Sequence, residues 1–282
     1  GFYRGGPIMS SAIAGLDQAL WDIAGKSLGV PVYRLLGGHV RDRIRVYGWV
    51  GGDDPSELRD AISAQIVAGL TAVKMNGSGI MPALGTVRQI DDVVDRAQIA
   101  RETLGSDRDF AIDFHGRFTL ANARRVLPLL EATRPLFVEE PLVPERGRLL
   151  KSVVESTSIP IACGERLFSR HEFLEVLNAG VAVVQPDLSH AGGISEVRRI
   201  SSLAEIFDAQ LAPHCPLGPL ALAASIQVAL ASPNFLIQEQ SLGIHYNQGS
   251  DLLDYLIDTS VFAIKDGHIE RPITPGLGVI ID

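Results

Sequence analysis

Short apolar runs and longer amphipathic segments alternate along most of the chain. Eight runs rich in Val, Ile, Phe and Ala each end in polar or charged residues, and the segments between them, such as residues 55–69 and 193–209, have helical periodicity. Strands that alternate with helices in this way predict a parallel sheet with both faces covered. The predicted strands are residues 43–50, 70–76, 109–115, 135–140, 158–165, 181–187, 209–214 and 235–240.

The number of repeats favours an α/β fold of the (β/α)₈ TIM-barrel type. Eight units in roughly 240 residues match the usual size of such a barrel. The runner-up is an open doubly wound sheet, but no Gly-rich dinucleotide fingerprint follows the first strand. Before the repeats, residues 8–29 space Ile13, Leu16, Leu20 and Ile23 at helical intervals, which predicts a helix outside the barrel.

Composition and charge narrow the class of protein. With 46% hydrophobic and 21% charged residues among 282, the chain has the composition of a globular protein. A net charge of −8 without a Lys/Arg-rich run disfavours nucleic acid as a partner. The apolar stretch 220–230 is too short to span a bilayer, and no leader for secretion is recognisable. Cys163 and Cys215 form no framework of bridges, so we expect a cytoplasmic protein without a membrane partner.

Ionisable residues stand at the predicted carboxyl ends of strands three to eight, which in a barrel converge on one mouth. Asp113, Glu139 and Glu165 follow each other at intervals of 26 residues, one βα unit, so we expect them at equal height on neighbouring strands. Three carboxylates together would repel each other. A divalent cation with oxygen ligands, such as Mg²⁺, removes that conflict.

A histidine and an aspartate at the next strand ends suggest a general base. An aspartate such as Asp187, accepting from one imidazole nitrogen of His214, raises the basicity of the other. Beside a metal site, such a base suits removal of a proton from the carbon next to a carboxylate, because the cation stabilises the enediolate. His115, two residues after Asp113, is predicted to share its face of the strand, as a metal ligand, an acid–base group or part of a structural cluster.

These residues lie in longer stretches that resemble the enolase superfamily over essentially the whole chain. The stretches include "DFHGR", "PLFVEEP", "GERLFSR", "QPDLSHAGGI" and "LAPHCPLGP", and they resemble the mandelate racemase group, within it the dehydratases that act on D-galactonate. The resemblance implies a (β/α)₇β barrel as catalytic domain over residues 43–282. It also implies that residues 1–42 are the helical remnant of an N-terminal α+β capping domain, whose first part this chain is expected to lack.

The resemblance further implies a role for each strand-end residue. Asp113, Glu139 and Glu165 would bind Mg²⁺, one ion per subunit. His214, oriented by Asp187, would take the proton from C2 of the substrate. The protein would be a homo-oligomer whose partner is a small-molecule acid sugar.

The remaining implied residues complete an elimination reaction. Glu239 would hydrogen-bond the substrate carboxylate, and His115 would protonate the departing 3-hydroxyl. Many relatives carry Lys-x-Lys at the end of the second strand, where this chain has Lys74-Met75-Asn76. Asparagine accepts no proton at neutral pH, so racemisation, which needs bases on both faces, is disfavoured.

The resulting expectation is a hydro-lyase that converts D-galactonate to 2-dehydro-3-deoxy-D-galactonate and water. The open alternatives are a dehydratase for another aldonate, such as gluconate, and a non-catalytic barrel fragment. Lys74 could equally be a solvated strand-end lysine, and His214 a structural histidine. The expected substrate contacts are Lys74, Asn76, His115, His214 and Glu239, and Arg166, His190 and His245 are further candidates for the pocket lining.

Overall fold

The structure, a computed structural model, describes residues 5–51, 55–242 and 253–282. Helices alternate with strands as the apolar pattern predicts. The helices are α1 (Pro7–Leu28), α2 (Val32–Leu35), α3 (Pro55–Val67), α4 (Val87–Leu104), α5 (Leu120–Leu130), α6 (Leu150–Val154), α7 (Arg170–Asn178), α8 (Gly193–Ile206) and α9 (Pro219–Ala231). The strands are β1 (Arg43–Val50), β2 (Ala72–Asn76), β3 (Asp109–Asp113), β4 (Val138–Glu139), β5 (Ile161–Cys163), β6 (Val183–Val184), β7 (Gln210–Leu211), β8 (Gln238–Glu239), β9 (Ile264–Lys265) and β10 (His268–Glu270).

Each predicted strand contains an observed strand, and most observed strands are shorter than predicted. The run 109–115 forms a strand only up to Asp113, and the run 158–165 only up to Cys163. Beyond these points the backbone leaves the extended region, with φ 49° at His115 and φ 143° at Gly164. Of the six ionisable residues expected at strand ends, three lie on the loops that follow: Glu165, Asp187 and His214.

Residue contacts divide the chain into two compact units. The first unit comprises Gly1–Val46, Gly164–Leu174 and Val184–Asp282, and the second comprises Tyr47–Cys163 and Glu175–Val183. In the second unit, the end of β1 and strands β2 to β5 form a parallel ladder in which each strand pairs with the next. This ladder confirms the predicted α/β fold with a parallel sheet, whereas closure of a barrel stays a prediction.

The strands of the second unit are buried on both faces, as their continuous apolar runs predict. Phe110 and Ile112 point to one face of β3 and Ala111 to the other, and all three are at most 2% exposed. Helix α4 begins with a capping box, in which the Thr86 hydroxyl accepts from the Gln89 backbone N–H and the Gln89 side chain accepts from the Thr86 backbone N–H. This reciprocal pair satisfies two backbone donors at the helix start and sets where α4 begins.

Helix α9 is the apolar stretch that the sequence analysis considered for a membrane span. It is buried within the first unit along its whole length. Gln227 accepts a hydrogen bond from the Tyr33 backbone N–H at 2.9 Å and donates to the Leu277 carbonyl at 3.0 Å, so its buried amide is satisfied. Among the described residues, none of the helices is both long and apolar enough to cross a membrane.

Helix α1 confirms the predicted helix at the start of the chain, but its apolar residues do not face the first unit's core. Asp17 accepts from the Ser195 backbone N–H at 3.0 Å, and the Trp21 indole donates to the Ser195 hydroxyl at 2.9 Å, so this polar face contacts α8. The predicted stripe points away from that contact, with exposures of 43% for Ile13, 68% for Leu16, 66% for Leu20 and 61% for Ile23.

Candidate active site

Two buried carboxylates end neighbouring strands of the second unit. Asp113 is the last residue of β3, Glu139 is the last residue of β4, and the two lie directly opposite each other in the parallel register. Asp113 is 1% exposed and Glu139 is fully buried. Burying two like charges side by side is costly unless a cation compensates them. The equal height predicted for this pair is confirmed.

Lys74 on β2 supplies a compensating positive charge. Its Nζ lies 2.8 and 3.0 Å from the two carboxylate oxygens of Glu139 and 3.8 Å from Oδ2 of Asp113. The rings of Tyr47 and Trp49 each have their centroid 5.5 Å from the same Nζ. With 1% of Lys74 exposed, the solvated alternative for this lysine is wrong.

His115 reaches Asp113 through a turn rather than along the strand. At φ 49° the residue is in the left-handed region, and its backbone N–H donates to Asp113 Oδ1 at 2.7 Å. Its Nε2 lies 3.1 Å from Asp113 Oδ2, and its ring meets the ring of Trp49 edge-on at 5.8 Å. The proximity of His115 to Asp113 is as expected, but the shared-face argument is wrong because β3 ends at Asp113. About a third of the His115 side chain (34%) is exposed, so a small molecule can reach it.

Asn76, the other candidate from the second unit, ends β2 opposite Asp113 in the register. Asn76 is half-buried, and its backbone carbonyl oxygen accepts from Nε of Arg96 at 3.3 Å. Asn76 therefore lies next to the buried carboxylate pair in the ladder.

Glu165 does not continue the equal heights of Asp113 and Glu139. The residue opposite Glu139 on β5 is Ala162, so Glu165 stands three residues further along the chain. Gly164 precedes it, and a Cβ there would lie 2.6 Å from a ring carbon of Phe173. The 26-residue spacing predicted equal height wrongly for Glu165, because β5 stops at Cys163 and the glycine then redirects the chain.

In the first unit, His214 is held by Asp187 as the sequence analysis expected. Nδ1 of His214 lies 2.8 Å from Oδ2 of Asp187, which is 1% exposed. The other oxygen, Oδ1, accepts from the Ser189 backbone N–H at 2.7 Å. An ionised carboxylate only accepts hydrogen bonds, so Nδ1 carries a proton, and Nε2 is the nitrogen on the other side of the ring.

Nε2 of His214 faces two more carboxylates. It lies 3.0 Å from Oε2 of Glu165 and 3.8 Å from Oε2 of Glu239. Burial alone would lower the pKa of His214, but the charge of Glu239 and the hydrogen bonds to Asp187 and Glu165 together hold that pKa well above its usual value near 6.5. The carboxylates around the ring therefore favour the protonated, imidazolium form of His214.

Glu239 is the last residue of β8 and is 5% exposed. Its Oε2 accepts a hydrogen bond from the backbone N–H of Cys215 at 3.0 Å. This contact fixes the carboxylate on the Nε2 side of His214. Sequence patterns carried no signal for it, because any residue other than proline at position 215 offers the same backbone donor.

The three minor candidates have separate surroundings. Arg166 has its Nε 3.5 Å from Oε1 of Glu165, and His190 has its Nδ1 2.8 Å from the hydroxyl of Ser11. His245 lies outside the described residues. Arg166 is thus next to a proposed site residue, whereas the contact found for His190 is with α1.

Family models match both parts of the chain. Residues 57–282 match the model described as "Enolase C-terminal domain-like". Residues 2–37 match the model described as "Mandelate racemase / muconate lactonizing enzyme, N-terminal domain".

Curated relatives are similar over the full length of this chain. A protein named D-galactonate dehydratase from Ralstonia nicotianae is 52% identical over 283 aligned residues, covering 100% of this chain and 74% of the relative. Another of that name from Xanthomonas euvesicatoria is 53% identical with the same coverage of both chains.

Solved structures share the fold. A mandelate racemase/muconate lactonizing enzyme from Jannaschia matches with a TM-score of 0.91 and 33% identity, over 100% of this chain and 75% of that chain. A member of the enolase superfamily from Salmonella Typhimurium matches with a TM-score of 0.87 and 29% identity, over 99% of this chain and 76% of that chain.

Proposed function

The chain belongs to the mandelate racemase/muconate lactonizing enzyme family of the enolase superfamily, and we propose that it dehydrates D-galactonate to 2-dehydro-3-deoxy-D-galactonate. The name carried by relatives about half identical over the whole chain supports a hydro-lyase for an acid sugar. The observation that carries the proposal is the Asp187–His214 pair, in which Asp187 holds Nδ1 of a partly buried imidazole and Nε2 faces Glu165 and Glu239.

We assign the first step to His214. Its Nε2 takes the proton from C2 of the acid sugar, while Asp187 holds Nδ1–H and stabilises the imidazolium that forms. Glu239, fixed by the backbone N–H of Cys215 on the Nε2 side of the ring, is placed to hydrogen-bond the substrate carboxylate.

Asp113 and Glu139 fit a hard divalent cation. Both are buried, both offer only oxygen atoms, and in the structure they already share a positive charge, the Lys74 ammonium. We propose Glu165 as the third ligand, on the basis of its position after β5 and of the family resemblance. Bound there, one Mg²⁺ per subunit would supply positive charge for the oxygens of the substrate carboxylate as C2 loses its proton.

The second step falls to His115. Its exposed imidazole is held by Asp113 and by the edge of Trp49, so it can present a proton to the leaving 3-hydroxyl. We propose that Lys74 and Asn76, neighbours of the carboxylate pair on β2, contact the substrate. Because Asn76 cannot take up a proton, elimination by one base is favoured over racemisation.

We further propose the wider organisation that the resemblance implies. Residues 1–42 would be the helical part of a capping domain and residues 43–282 a (β/α)₇β barrel, which the family matches over 2–37 and 57–282 support. A cytoplasmic homo-oligomer with a small-molecule acid sugar as partner is part of the same proposal. The net charge of −8 supports a role without nucleic acid.

Incubation with a panel of aldonates and Mg²⁺, followed by a colorimetric assay for 2-keto-3-deoxy acids, tests the proposed function. We expect D-galactonate to be the best substrate. Faster turnover of gluconate would keep the mechanism and replace the substrate. Absence of product from every acid sugar, with folded protein, would refute the dehydratase and favour a non-catalytic barrel.

Two matched variants test the division of roles between the histidines. His214→Asn should abolish exchange of the C2 proton with solvent deuterium, because it removes the base. His115→Asn should retain part of that exchange and lose dehydration, because only the acid is missing. Equal loss of both reactions in both variants would contradict these assignments.

A further inference from the structure

The ammonium group of Lys74 contacts two of the three proposed metal ligands. Its Nζ lies 2.8 and 3.0 Å from the two oxygens of Glu139 and 3.8 Å from Asp113, so one ammonium group neutralises much of the carboxylate pair. The lysine is 1% exposed, so its charge is shielded from water. A second cation on the same oxygens would meet this ammonium at a few ångströms.

The aromatic residues around Lys74 explain how a cation is kept there. Tyr47 and Trp49 place their rings 5.5 Å from Nζ, and Trp49 is the register partner of Lys74 on β1. Ring faces attract cations without accepting a proton. The ammonium therefore contacts both the carboxylates and the rings. It can move towards the rings while the carboxylates bind another cation.

We propose that Lys74 is a resident counter-ion of the metal site, which keeps Asp113 and Glu139 assembled before metal binds, weakens metal affinity, and turns from Glu139 towards Trp49 when the metal arrives. The repulsion between two cations at the same pair of carboxylates determines by how much Lys74 weakens metal affinity. The released ammonium becomes a donor for the anionic substrate. This inference rests on the proposed function, since it takes Asp113 and Glu139 as metal ligands.

Calorimetric titration of the full chain with Mg²⁺ at pH 8, without any acid sugar, tests the proposal. Lys74→Met keeps most of the length of the side chain and removes its charge, so Mg²⁺ should bind about tenfold more tightly or better. The metal-free variant should also melt at a lower temperature than wild type, because two buried carboxylates lose their cation. Saturating Mg²⁺ should therefore raise the melting temperature more in K74M than in wild type.

Two further variants serve as controls. Lys74→Arg retains the charge and should bind Mg²⁺ about as weakly as wild type. Lys151→Met removes a lysine whose side chain is 70% exposed, and it should change neither affinity nor melting temperature. Folded K74M that binds Mg²⁺ as weakly as wild type, or more weakly, would overturn the proposal.

A fluorescence measurement tests the proposal even if K74M does not fold. The chain has two tryptophans, Trp21 and Trp49, so a Trp21→Phe variant reports on Trp49 alone. Movement of the ammonium towards the indole should change Trp49 emission saturably as Mg²⁺ is added, with the calorimetric dissociation constant. An unchanged emission at saturation would overturn the handover. A wild-type chain that binds no Mg²⁺ would instead count against the proposed metal site, whatever the result with substrates.

Discussion

Replacing Asp187 by asparagine should lower the activity by more than the loss of its charge alone would. Oδ1 of Asp187 accepts from the Ser189 backbone N–H at 2.7 Å, and Oδ2 accepts from Nδ1 of His214 at 2.8 Å. In Asp187→Asn the amide oxygen has to stay opposite the Ser189 donor. The amide NH₂ then faces Nδ1, which must become an acceptor, so that the proton of a neutral imidazole moves to Nε2.

The size of the effect has two parts. Loss of a charge-assisted hydrogen bond costs about 1.5–3 kcal/mol, which corresponds to about ten- to a hundredfold in rate. The wrong tautomer adds to this loss, because Nε2–H cannot remove a proton from C2. Asp187→Ala loses the same charge but leaves His214 free to choose its tautomer, so D187N should be slower than D187A.

Exchange of the C2 proton of the acid sugar with solvent deuterium, followed by proton NMR, measures the step directly. Dehydration measured in parallel should fall by the same factor, since both reactions pass through the same proton removal. Circular dichroism serves as the control for folding. If D187N exchanges faster than D187A, the tautomer argument is wrong, and if both exchange as fast as wild type, His214 is not oriented by Asp187.

Three further predictions concern stability. Gly164→Ala should lower the free energy of unfolding by about 2–4 kcal/mol in urea titrations, because the added Cβ meets Phe173 and the backbone φ is 143°. Asp17→Ala should lower it by about 0.5–2 kcal/mol, because the first turn of α8 loses an acceptor at the Ser195 N–H, and Asp17→Asn should recover part of the loss. Glu131 accepts from the Ser158 backbone N–H and from the Thr157 hydroxyl, and these bonds lower its pKa below the usual 4.5. The stability they contribute is therefore present above pH 4.5 and lost as the pH falls below it, so Glu131→Gln should flatten this part of the acid limb in melting temperature against pH.

Apolar periodicity predicted the helices and strands well, because both kinds of element bury apolar side chains at regular intervals. Helix α1 shows what periodicity does not contain. Ile13, Leu16, Leu20 and Ile23 follow a helical interval and do form a helix, but the face that contacts α8 carries Asp17 and Trp21. A helical interval predicts the helix and leaves open which face a neighbour covers.

The candidate chemistry was predictable as residue types, whereas the surroundings of Lys74 were not. In the sequence, this lysine stands near the end of an apolar run. A solvated lysine and a buried lysine give the same sequence pattern there. Its burial depends on the register of the four strands β1 to β4, which brings Trp49 beside Lys74 and Asp113 beside Glu139. Register is a property of paired backbones, and no spacing within one strand contains it.

The constant interval of 26 residues shows what spacing in a sequence predicts about position in the structure and what it does not. It counts residues per βα unit, so it identifies Asp113, Glu139 and Glu165 as equivalent members of successive units. Register depends on where each strand ends: Asp113 and Glu139 are the last residues of their strands and pair with each other, whereas Glu165 follows Gly164 after the strand has stopped. The backbone turns with positive φ therefore determine where these carboxylates lie, in addition to their spacing in the sequence. It follows that a change at Gly164 should disturb the position of the Glu165 carboxylate although it leaves every ionisable group in the chain.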